Sequence, residues 1–186
     1  MIVHRFTDFR RFLYAFDIGR WELGVRRLLL IMSGAPFRIV SADHTGITVS
    51  NLERSLAFWR DVLGFELSHR THQTSELASE ITGVPGAEIS LAVVKVPGHK
   101  IELLEYLAPP DRNQHVDLRP CDVGAAHVAL TVDDLDAVLD AITNSGWKAA
   151  GKPQTLKTGP NAGKRVVYVR DPDGTTIEFM QEATSA

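Results

Sequence analysis

"AAHVALTVDDLDAVLDAI", residues 125–142, is an alternating apolar run that opens on a histidine and passes into a helix signal. The chain has already written a near copy of it: "ADHTGITVSNLERSLAFW", residues 42–59. With His44 set over His127, Val49 falls on Val132, Leu52 on Leu135, Leu56 on Leu139 and Trp59 on Ile142, without a gap. In both copies the branched residues alternate with small ones, so a strand would turn Thr45, Ile47 and Val49, or Val128, Leu130 and Val132, to one face. The histidines share the other face with Gly46 and Thr48, or Ala129 and Thr131, where space is left. Helices follow. Ser50 with Glu53, and Asp133 with Asp136, have capping-box spacing, and Gly64 and Gly146 sit where a helix stop belongs.

The far ends repeat as well. "VPGHKIELLEY", residues 96–106, overlays "PDGTTIEFMQE", residues 172–182, which puts Gly98 on Gly174 and Glu102 on Glu178. These glycines read as turns joining pairs of strands, so each copy is a βαβββ unit. The interval from histidine to glutamate is 58 residues in the first copy and 51 in the second. The surplus falls in "THQTSELASEITGVPG", read as a loop or short helix. The expected fold class is therefore α+β, with two paired βαβββ modules forming a cupped, partly open sheet. Module 1 spans 38–110, a linker 111–121, and module 2 122–182, together one domain over 38–182.

The residues ahead of this domain differ in kind. Residues 1–36 carry six arginines against three acids, and Val3, Phe6, Phe9, Leu13 and Phe16 recur near a helical period. They read as an extension, either an amphipathic helix or sequence upstream of a natural start at Met32. "LLLIM" is too short to span a bilayer. The composition excludes other classes. A net charge of −3 gives no sign of nucleic-acid or membrane-surface binding, and 44% hydrophobic with 23% charged residues suits a globular protein. One cysteine, Cys121, rules out an internal disulfide or a thiolate zinc site and fits a reducing cytoplasm.

Glu102 lies between Ile101 and Leu103, and Glu178 between Ile177 and Phe179. A carboxylate in such a strand is costly unless it is exposed or has a strong partner. Singly, each histidine and glutamate could be structural. The coincidence of two of each at equivalent positions points to a metal. If the modules pair about a pseudo-twofold axis, His44, Glu102, His127 and Glu178 converge on it. Two imidazoles and two carboxylates suit one divalent ion, Zn, Ni, Co, Mn or Fe. The other histidines (His4, His69, His72, His99 and His115) have no partner in the repeat and read as structural.

This pattern resembles the vicinal oxygen chelate superfamily, which includes glyoxalase I (lactoylglutathione lyase), methylmalonyl-CoA epimerase, bleomycin resistance proteins and ring-cleaving dioxygenases. The likeness rests on "DHTGITVSNLERSLAFWRDVLGFEL", "KIELLEYL", "AAHVALTVDDLDAVL" and "VYVRDPDGTTIEFMQ" and covers roughly residues 38–182. It implies metal ligands at His44, Glu102, His127 and Glu178. It also implies a lyase or isomerase that transfers a proton through a metal-bound enolate or ene-diolate, with Glu178 and Glu102 as the bases. A small-molecule substrate, such as a glutathione or coenzyme A thioester or thiohemiacetal, and a homodimer are further implications. Lys157, Lys164 and Arg165 could grip an anionic carrier of that kind, or form a solvated turn. No glycine-rich phosphate loop accompanies them, and no organic cofactor is expected. An Fe(II) extradiol-type dioxygenase and a metal-free binding or resistance protein of the same fold are the alternatives.

Overall fold

A computed structural model describes residues 37–115 and 117–183. The helix expected within residues 1–36 lies outside them. The first histidine repeat forms β1 (Thr45–Val49), in which Ile47 and Val49 are buried while Gly46 and Thr48 are exposed. Helix α1 (Leu52–Leu56) follows and runs on as a π-helical turn, Ala57–Val62. Then come β2 (Glu66–Gln73), α2 (Ser75–Thr82), β3 (Glu88–Val96) and β4 (His99–Ala108). The second repeat gives β5 (His127–Val132), α3 (Leu135–Asn144), a short β6 (Gln154–Thr155), β7 (Arg165–Arg170) and β8 (Thr176–Gln181).

The expected helix stops are in place. Gly64 and Gly146 have φ of 74° and 86°, a region that a side chain disfavours, and each ends its helix. The caps differ from expectation by one residue. Asn51 and Asp134 are the N-caps, their side-chain oxygens accepting from Arg54 N–H at 2.8 Å and Ala137 N–H at 3.0 Å. The residues assigned to the capping boxes are engaged elsewhere. Ser50 Oγ donates to Asp173 at 2.6 Å, and its N–H donates to the same carboxylate at 3.0 Å. Glu53 accepts a two-pronged bond from Arg70 (2.5 and 2.9 Å), and Asp136 one from Arg165 (2.7 and 2.8 Å). A two-pronged arginine bond holds a carboxylate better than one exposed backbone N–H.

The strands make two four-stranded mixed sheets, ordered β1-β4-β3-β2 and β5-β8-β7-β6, neither closed into a barrel. In each, the first strand runs parallel to the last, and the register is equivalent: Gly46 opposite Glu102, Ala129 opposite Glu178. Among the described residues β1 and β5 are edge strands, each hydrogen-bonded on one side.

One core joins the two modules. Leu56, Phe58 and Trp59 are fully buried together with Leu135, Ile142, Val169 and Ile177. Phe58 stands edge-on to Trp59 and to Trp147 of the second module, with ring centres 5.9 and 5.7 Å apart. A second, smaller cluster lies on the opposite face of the first sheet. There Ala78 of α2 packs with Ala87, Ile89, Leu91 and Val93, flanked by Val84, Leu104 and Tyr106. Period-two alternation puts Leu104 and Tyr106 on the face of β4 that carries Glu102, so α2 roofs part of that face.

Candidate metal centre

His44 precedes β1, two residues before Gly46, and the register opposite Glu102 brings both side chains to one face. His44 Nε2 stands 3.3 Å from Glu102 Oε2. His127 opens β5 in the same relation to β8, and its Nε2 stands 3.3 Å from Glu178 Oε2. The four side chains are 40%, 23%, 43% and 19% exposed in that order, so they face an open surface rather than the core. Ile101, Leu103 and Ile177 are fully buried beside the glutamates, and Phe179 nearly so. The strand therefore turns its apolar residues inward and presents its carboxylate to the other face, which lowers the desolvation cost expected of it.

The structure brings the predicted ligands together as two pairs. Among the described residues no three His, Cys, Asp or Glu side chains gather as a metal would require. Within one chain, the convergence of all four on a single axis is not formed. Each pair is nonetheless suited to one ion. Two donors about 2.1 Å from a metal stand roughly 3.0 Å apart at a right angle and roughly 3.4 Å at the tetrahedral angle, which brackets the separation found in both pairs. The donor set fits a divalent cation.

The surroundings of the two histidines differ. Asp43 Oδ1 lies 2.9 Å from His44 Nδ1 and accepts from Lys100 Nζ at 2.8 Å. The bonds from Lys100 and then His44 hold the Asp43 carboxyl below the usual carboxylate range. His127 instead lies against Tyr168, ring centres 5.3 Å apart and tilted by 37°. The reading of the sequence passed over Asp43, although "ADH" was its visible signal. It also passed over Tyr168, whose place follows only from its register opposite Glu178.

The turn before β8 reaches across to the first module. Asp173 takes both bonds from Ser50 and one from Arg54 at 2.5 Å. Asp171 Oδ1 accepts from the N–H groups of Asp173 (2.9 Å) and Thr175 (2.7 Å), while its Oδ2 is buried without a partner. Burial pushes the Asp171 carboxyl up, against the pull of those backbone bonds. A cavity of about 390 Å³ lies beside this turn, bordered by the edge of β1, the start of β5, Arg112, His115 and Arg170. Arg112 donates to Pro109 O, and Arg170 to Leu118 O and Gly174 O.

Of the expected anion grip, Arg165 is committed to Asp136 and Lys164 to Glu182 at 2.8 Å. His72 pairs with Glu88 at 3.1 Å and His99 with Thr45 Oγ1 at 3.0 Å, in keeping with structural roles. Cys121 is exposed and free. No helix among the described residues is long and apolar enough to cross a membrane.

Known proteins resemble this chain in sequence and fold. The chain is 31% identical over 146 residues to a 2-epi-5-epi-valiolone epimerase from Actinomyces sp., which covers 76% of the chain and 79% of that protein. It is 30% identical over 141 residues to a probable lactoylglutathione lyase from Synechocystis sp., covering 76% of the chain and 95% of the relative. A crystal structure of a glyoxalase family protein from Bacillus cereus superposes with a TM-score of 0.70 at 25% identity, over 81% of this chain and 99% of that one. The family model for the Glyoxalase/Bleomycin resistance protein/Dioxygenase superfamily matches residues 41–179. That match runs from just before His44 to just past Glu178, and the chain belongs to this superfamily.

Proposed function

We propose that the protein is a divalent-metal-dependent lyase or isomerase that moves a proton at a carbon next to a carbonyl group of a small molecule. The observation that carries this is the matched pair of half-sites, His44 with Glu102 and His127 with Glu178, each at 3.3 Å on equivalent strands. These four residues would hold the ion. When bound, it supplies Lewis-acid stabilisation of the negative charge that develops on the substrate oxygen. Glu178 and Glu102 would take and return the proton, as the carboxylates that this reading places beside the ion. The epimerase and lyase names among the relatives accord with such chemistry.

In this reading the complete site forms between two copies of the chain. One chain supplies His44 and Glu102, and its partner supplies His127 and Glu178. The unpaired edges of β1 and β5, each beside one half-site, support it: an open edge of that kind invites pairing. A twofold dimer then holds two equivalent sites.

The deciding experiment is incubation of the metal-loaded protein in D₂O with glutathione thiohemiacetals, coenzyme A thioesters and cyclitol ketones. Deuterium should enter the carbon next to the carbonyl at a rate tied to turnover, without oxygen consumption. Stoichiometric oxygen uptake with a catechol would assign the protein to the dioxygenase class instead. A chain that takes up no metal but binds a small molecule tightly would be a binding protein of the same fold.

A further inference from the structure

The two half-sites match at the glutamate and differ behind the histidine, and that difference has chemical content. A neutral imidazole carries one proton, on Nδ1 or on Nε2, and only the bare nitrogen can bind a metal. At His127 the described residues offer one polar partner, the Glu178 carboxylate 3.3 Å from Nε2, while residue 126 is an alanine. No acceptor stands at Nδ1 among the described residues, and the one nearby carboxylate is on the Nε2 side, so the ring proton is best placed on Nε2. At His44 the Asp43 contact, 2.9 Å from Nδ1, has hydrogen-bond geometry, while Glu102 at 3.3 Å from Nε2 is a charge contact only. The shorter contact wins, and Lys100 holds the Asp43 carboxylate in place at 2.8 Å.

We propose that Asp43 is a positioning residue of the first half-site, taking the Nδ1 proton of His44 and so keeping Nε2 bare for a metal. This rests on the metal-binding reading above. The two histidines of the zinc-free protein then carry opposite tautomers, His44 protonated on Nδ1 and His127 on Nε2. The first half-site is ready for the ion, and the second must move a proton before it can bind. Partners of this kind behind a ligand histidine raise metal affinity by about 10–100-fold. Asp43 is 71% exposed, which places it at the lower end of that range.

The test uses the full-length chain and needs no turnover. In zinc-free protein in mildly alkaline buffer, two-bond proton–nitrogen NMR correlations report the tautomer of each ring. The expected result is Nδ1–H for His44 and Nε2–H for His127. In Asp43→Ala the His44 proton should move to Nε2, whereas Asp43→Asn, which keeps an acceptor oxygen, should leave it on Nδ1. Zinc titration should show about tenfold weaker binding by Asp43→Ala and a smaller loss for Asp43→Asn. The proposal is overturned if His44 carries Nε2–H in the wild type, if its proton stays on Nδ1 in Asp43→Ala, or if that variant binds zinc as tightly as wild type. A wild-type chain that takes up no zinc refutes the metal reading itself, and the tautomer comparison still decides what Asp43 does.

Discussion

The two modules are built to one plan and finished differently. The first has strands of eight, nine and ten residues after its helix, and carries α2 as a roof over part of the face that bears Glu102. The second makes do with strands of two, six and six, and the equivalent face, with Glu178, Tyr168 and Met180, has no such cover among the described residues. What the copies keep in common is therefore informative. They keep the parallel pairing of first and last strands, the histidine at the head of one, the glutamate in the middle of the other and their 3.3 Å contact. They also keep one less obvious feature. Glu105 and Gln181, each three residues beyond the ligand glutamate, accept from the N–H of Leu52 and Leu135 at 2.9 and 3.3 Å. Each helix start is tied to the strand that carries the carboxylate.

The sharpest way to break the comparison is to disable the modules one at a time. His44→Ala with Glu102→Gln, or His127→Ala with Glu178→Gln, should each abolish stoichiometric metal binding, measured by metal analysis after dialysis. If the site lies between copies, mixing the two inactive variants under exchange should restore about one quarter of the wild-type metal content, because half of the dimers then hold one intact site of two. A site built within one chain gives no recovery.

Next in size is the roof. Leu91, 2% exposed beneath α2, and the half-buried Val166 occupy equivalent places opposite Leu104 and Met180. Leu91→Ala should cost about 2–5 kcal/mol in urea unfolding, as a cavity in a closed cluster. Val166→Ala should cost less than about 1 kcal/mol, as a truncation on an open face. Equal losses would mean that the two faces are covered alike.

Asp173 joins the modules rather than distinguishing them. Asp173→Ala removes the acceptor of Ser50 and Arg54, and about 1–3 kcal/mol of stability should go with it. Arg54→Ala should cost less, since Arg54 is 46% exposed and its share is screened by solvent. A larger loss for Arg54→Ala than for Asp173→Ala would show that the hydroxyl and backbone bonds from Ser50 contribute little.

The smallest effect concerns pH. The Asp171 carboxyl is raised by burial, so the folded chain holds its proton more tightly than the unfolded one. Its contribution to stability is then fully present below the ordinary carboxylate value and declines as pH rises through the raised one. Urea midpoints should show this decline in the wild type, and a flatter profile in Asp171→Asn. A midpoint that rises over the same interval in the wild type relative to Asp171→Asn would contradict the sign.

Much of this was readable in the amino-acid sequence because period two and the gapless repeat act locally. Ile47 and Val49 alternate with Gly46 and Thr48 in six consecutive letters, and the ligand pairs follow once the strands are placed. The first helix cap was misplaced by one residue because Asp173, which engages Ser50, lies 123 residues from it in the chain. Whether all four ligands meet within one chain was not readable at all. That depends on how two sheets face one another, which neither periodicity nor spacing records. The roof was legible only as a loop or short helix taking up surplus length, since Ala78 is its one buried residue and gives a weak helical stripe.

That weak stripe has a consequence for how such a protein can change. A helix held by one alanine and bounded by turns can be shortened, lengthened or exchanged without rethreading any strand or moving any ligand. Where one half of a gene has been copied from the other, such a segment is the place where the copies can drift apart at least cost. New selectivity can then be acquired on one side while the other preserves the chemistry.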